Sequence, residues 1–137
     1  MTAKEVLRDL RGMTRAIQRM QVDIAVLRQE ADGLRSMELT DMPKGGKKRD
    51  VADAIAELVD VQLERDELFY KRVKKHEKTL VAISKVEDND QRAVLNYRYV
   101  LGRDWDDIAR ELGYSIRSIY RIHGTALQSF VKYFDAE

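Results

Sequence analysis

Small and apolar residues recur without interruption at Ala3, Val6, Leu10, Met13, Ile17, Met20, Ile24, Leu27, Ala31 and Leu34. The steps alternate between three and four residues. An α-helix gathers such positions onto one narrow stripe, while a β-strand would scatter them over both faces. Arginines, glutamines and acids fill the other positions. The first quarter of the chain is therefore expected to be one long helix whose stripe packs on a partner helix. The pattern leaves open whether that partner is the same chain or another.

From Ser36 to Asp50 the periodicity stops. This stretch holds the only proline, Pro43, the pair Gly45–Gly46, and the basic cluster Lys44, Lys47, Lys48 and Arg49. Proline and paired glycine interrupt helices, so residues 36–50 are expected to form a loop. Its four cations read first as a solvated loop surface, with contact to DNA phosphates as the alternative.

Periodicity resumes at Val51 and runs to about Val86. Ile55, Val59, Phe69, Val73, His76, Leu80 and Ile83 fit one three–four register, with Gln62 and Asp66 inside it. Leu58, Val61, Leu63 and Leu68 widen the apolar surface beyond a narrow seam. Two long helices joined by a loop fold back as an antiparallel hairpin. A lone hairpin buries one stripe only, so the surplus points to a second chain or to the C-terminal residues as its cover. His76 has no second histidine or acid at ligand spacing on its face, which argues for packing and against a metal site.

Composition agrees with helices throughout. The chain has 137 residues, 44% of them hydrophobic and 36% charged, which is too apolar for disorder and suits long solvated helices. The net charge of +1 selects no partner, because blocks of opposite sign can hide within it. Cysteine is absent, which removes disulfides and thiolate metal sites and fits a reducing cytoplasm. No signal-like apolar core or membrane-length apolar run occurs, so a soluble, intracellular protein with no membrane partner is expected.

The last third is organised differently. Glu87 to Asp90 form a polar break suited to capping a short helix, with Val94 and Leu95 inward and Gly102 as its stop. Asp104 is placed to cap a second helix, with Asp106 and Asp107 in its first turn. Ser115 is placed to cap a third. Within residues 105–122 the spacing is that of two helices meeting through a tight turn. Ala109 is small where backbones approach, Gly113 tolerates positive φ, and Ile108, Leu112, Ile119 and Ile122 close the corner. This is the pattern of a helix-turn-helix.

The final helix, 115–134, divides into two faces. Ile119, Ile122, Ala126 and Phe130 point inward, and Arg117, Arg121, Gly124, Gln128 and Lys132 point away. No acid lies between Ser115 and Tyr133. Arginine near the start of a recognition helix can bond guanine O6 and N7 in the major groove. The candidate DNA-binding residues are Ser115, Arg117, Ser118, Tyr120, Arg121 and Thr125, with hydroxyls suited to phosphate. Trp105 and His123 are expected to pack.

The string from Asp104 to Phe130 resembles the last helix-turn-helix region of bacterial σ70-type factors. Ile108–Ala109, Leu112–Gly113, Ser115, Ile119, Ile122 and Ala126–Leu127 carry that resemblance. Over nearly its whole length the chain resembles small phage-encoded regulators of the ArpU/RinA type. Those combine a coiled-coil segment, a linker such as Met42–Gly46, and a string matched here by Arg98–Tyr99, Trp105, Ile108–Ala109, Leu112–Ser115, Ile122–His123 and Ala126–Leu127. The resemblance implies a transcription activator or late-gene regulator of a phage or prophage. Ile116 stands where σ factors usually carry a charge, and Tyr120 and Gly124 replace polar or charged types.

The sequence thus predicts an all-α protein: a long antiparallel hairpin (coiled coil) over 1–87, for oligomerisation, followed by a small helix-turn-helix domain over 88–137. Its expected partners are double-stranded DNA and further copies of itself, a dimer first, with RNA polymerase as another candidate. No cofactor, metal or catalytic constellation is expected, hence no enzyme. Two other functions fit the same residues: a small terminase subunit that recognises DNA for packaging, and a σ-like module that grips polymerase.

Overall fold

The computed structural model describes residues 2–39 and 50–136. The fold is all-α, as expected. Among the described residues six α-helices follow in order: α1 (Ala3–Leu39), α2 (Val51–Lys75), α3 (Glu77–Ser84), α4 (Asn89–Leu95), α5 (Trp105–Leu112) and α6 (Ile116–Asp135). A wide turn, Asn96–Val100, prolongs α4, closed by Leu101 N–H donating to the Asn96 carbonyl at 2.9 Å. The expected loop begins later than Ser36, because Ser36–Leu39 still belong to α1. Lys44, Lys47, Lys48 and Arg49 lie outside the described residues.

Contacts gather the chain into two compact units. One comprises residues 1–15 and 71–137 and the other residues 16–70, so α1 and α2 each contribute to both.

In the first unit, Thr14 pairs with Arg72 and Asp9 with His76, so the paired numbers rise on α1 as they fall on α2. The two helices are therefore antiparallel. Leu7, Leu10, Ile83, Val86, Leu95, Tyr99, Ala126 and Phe130 form the larger core of this unit. Phe130 has no exposed surface, and burying a side chain of that size contributes about 1.5–3 kcal/mol. A smaller core joins Val94, Ile108, Ala109 and Ile119, with Trp105, Leu112 and Ile122 packed around it. Ser129 Oγ donates to Gln91 Oε1 at 2.6 Å and ties α6 to α4.

In the second unit, Ile17, Ile24, Leu27 and Ala31 are buried along α1, as the seam predicts. Ala54 of α2 is buried in this unit as well.

The expected register of the second helix is corrected. Val59, Phe69 and Val73, read as seam residues, are exposed. His76 and Ile83 are buried as that register has them, but the other buried positions are Ala54, Arg72 and Thr79, with Leu58, Val61 and Leu68 half-buried. Counting apolar residues missed the others because the polar Arg72 and Thr79 hold two of those places. Arg72 is accommodated there because its guanidinium donates to Thr14 Oγ1 and to the Val100 carbonyl, each at 2.9 Å. His76 sits there because Asp9 Oδ2 meets its Nε2 at 2.6 Å. Among the described residues no cluster of histidines and acids could hold a metal ion.

Candidate nucleic-acid interface

The C-terminal face is built from local signals. Asp88 caps α4, its carboxylate accepting from the Gln91 N–H at 2.9 Å. Gly102 and Gly113 both adopt positive φ, 70° and 73°, where a Cβ would be strained. The Tyr114 N–H then donates to the Ala109 carbonyl at 3.0 Å, closing the end of α5. Ser115 caps α6, with Oγ accepting from the Ser118 N–H at 3.1 Å.

Asp104 departs from the expectation. Its backbone precedes α5, yet its side chain makes no cap hydrogen bond. Arg11 Nη2 lies 3.2 Å from Asp104 Oδ1 and within reach of the Gly102 and Arg103 carbonyls, while Arg15 donates to the Gly102 carbonyl at 3.2 Å. The carboxylate is drawn to a guanidinium on α1, a long-range contact invisible in the local sequence.

An aromatic cluster locks α6 in place. Trp105 meets Tyr120 edge-on, with ring centroids 5.4 Å apart, and His123 at 4.6 Å. The Arg98 guanidinium lies 4.3 Å above the Trp105 ring, and Tyr99 Oη lies 2.7 Å from His123 Nε2. Burial, reinforced by Arg98 and Lys4, pushes the His123 pKa down to about 4. His123 is therefore neutral near pH 7, and both it and Trp105 pack as expected. The part played by Arg98 was not foreseen. An Arg seven residues before a Trp carries no local signal, and the wide turn at Asn96–Val100 intervenes.

With Ile119, Ala126 and Phe130 buried, α6 leaves Arg117, Tyr120, Arg121, Gly124, Thr125 and Gln128 exposed. Arg117 and Arg121 form no hydrogen bond or ion pair among the described residues. The hydroxyls are more occupied. Ser115 Oγ also donates to Ser118 Oγ at 3.0 Å, and Thr125 Oγ1 donates to the Ile122 carbonyl at 2.9 Å. Ser118 is half-buried. All six candidates lie on α6 or at its cap; two present uncommitted guanidiniums.

Three exposed neighbours were not among the candidate DNA-binding residues. Ile116 opens α6, and Tyr114 precedes it with its hydroxyl donating to Asp90 Oδ2 at 2.7 Å. That hydrogen bond raises the Tyr114 pKa. Arg110 at the end of α5 lies 3.4 Å from Asp107. Beside them, Asp88, Asp90, Gln91, Arg121, Ile122 and Thr125 line a shallow cleft.

Fold and face together define an all-α arrangement whose last two described helices are joined by a tight turn, the second with a basic exposed surface free of acids up to Phe134. The chain belongs to the family described as "Protein of unknown function (DUF1492)", whose model matches residues 34–130. It is 32% identical over 133 residues to the "Putative autolysin regulatory protein ArpU" of Enterococcus hirae, covering 95% of this chain and 81% of that protein. No solved structure matches it. No helix among the described residues is long and apolar enough to cross a membrane.

Proposed function

We propose that the protein is a sequence-specific transcriptional regulator, encoded by a phage or prophage, that binds double-stranded DNA through a helix-turn-helix formed by α5 and α6. The observation that carries this reading is the pair Arg117 and Arg121. Both are exposed and uncommitted at the start of a helix whose opposite face is buried and which lacks an acid up to Phe134. Guanidiniums so placed suit guanine in the major groove, and Tyr120 is held beside them by Trp105. The regulatory name of the Enterococcus relative supports the same role. In this reading the protein is a binding protein and not an enzyme, works in the cytoplasm of a bacterium, and acts as a homo-oligomer, a dimer first.

Selection of bound fragments from bacterial and prophage genomes, followed by gel shift of the enriched sequence, tests the proposal. One enriched site bound at least about a thousandfold more tightly than random DNA is expected. Equal affinity for all sequences, or none, would overturn it.

A further inference from the structure

The α1 seam is spent inside one protomer, since Ile17 and Ile24 are buried there. What one chain leaves uncovered is a different surface. On the unbroken helix α2, Val59, Leu63, Phe69 and Val73 are 44%, 62%, 53% and 39% exposed. At 100° per residue these four lie within about 60° of Asp66, on a single stripe distinct from the inward face. The one carboxylate in the stripe is answered within the chain, because Arg65 Nε and Nη2 reach Asp66 Oδ1 at 3.2 and 3.1 Å.

We infer that this stripe binds the same stripe of a second copy, antiparallel, about a twofold axis at Asp66. Charge order along α2 decides both occupant and direction. Its acids run from Asp53 and end at Glu67, while its basic residues, Arg65 apart, run from Lys71 to Lys75. Two parallel copies would set acid against acid and lysine against lysine. An antiparallel pair levels Leu63 with Phe69 of the other copy and Val59 with its Val73. The row flanking the stripe on one side then brings Asp60 beside Lys74 of that copy at both ends of the contact, with Glu67 opposite its own counterpart near the axis. Such a surface is complementary to itself, which a twofold interface requires. The inference deepens the oligomeric part of the function proposed above by naming the surface, and its test uses no DNA, so the two can fail separately.

The full chain has no cysteine, so introduced thiols report pairing directly. Sedimentation of the full-length protein at tens of micromolar should give a dimer. Leu63→Glu with Phe69→Glu should weaken that dimer at least about a hundredfold, with far-ultraviolet circular dichroism unchanged. Under mild oxidation Asp66→Cys should cross-link to its copy. Leu63→Cys alone should not, and Leu63→Cys combined with Phe69→Cys should. These single cysteines sit on an exposed face and decide the matter even if the double glutamate variant unfolds. A monomeric parent, cross-linking by Leu63→Cys alone, or an uncross-linked Asp66→Cys would each overturn the proposal.

Discussion

Arg72 on α2 and Thr14 on α1 meet at 2.9 Å, guanidinium Nε donating to hydroxyl Oγ1, with both residues buried. Burial disfavours the guanidinium's charge and lowers its pKa, so the side chain depends on the acceptors it finds there. Thr14→Val keeps the shape and removes the Nε acceptor. A buried donor left unsatisfied costs about 1–3 kcal/mol. Urea unfolding should show a loss in that range, and a variant as stable as the parent would contradict the role given to this pair.

Two glycines should answer oppositely to the same substitution. Gly113 holds φ 73° at the end of α5, whereas Gly124 lies exposed within α6, and open space surrounds both Cβ positions. Gly113→Ala should therefore destabilise by about 1–2 kcal/mol through backbone strain alone. Gly124→Ala should stabilise by about 0.5–1 kcal/mol by limiting the unfolded chain. Thermal unfolding of the two variants checks the signs, and like signs would refute the assignment.

His123 ties stability to pH. Its folded pKa of about 4 lies below the ordinary 6.5, chiefly because burial penalises the imidazolium. Above pH 6.5 the residue is neutral whether folded or not. As pH falls from 6.5 toward 4, the unfolded chain takes up a proton that the folded protein refuses, so this contribution to stability is progressively lost. The difference in unfolding free energy between parent and His123→Gln should narrow across that window. A titration of His123 by nuclear magnetic resonance centred near 6.5 would show the account of its burial to be wrong.

What the sequence made legible was local. Caps at Asp88 and Ser115, positive φ at Gly102 and Gly113, and the α1 seam each depend on residues a few positions apart, where type and spacing carry the physics. What it hid depended on distant partners. Arg72 reads as a surface cation until Thr14 and the Val100 carbonyl are beside it, so counting apolar residues selected the exposed stripe of α2. Asp104 reads as a cap until Arg11 competes for its carboxylate. In the candidate interface, residue type identified the face of α6. It could not reveal that Thr125 spends its hydroxyl on its own helix, or that Arg98 stacks on Trp105.

The central claim is that Arg117 and Arg121 read DNA from a helix that stays folded without them. Arg117→Ala and Arg121→Ala, titrated by fluorescence anisotropy against the selected site and against random DNA at one salt concentration, test it most directly. Each should lose about 1–3 kcal/mol of specific binding, roughly a ten- to hundredfold weakening, with a smaller loss on random DNA and unchanged thermal stability. Parent-like affinity of both variants for the selected site would contradict it.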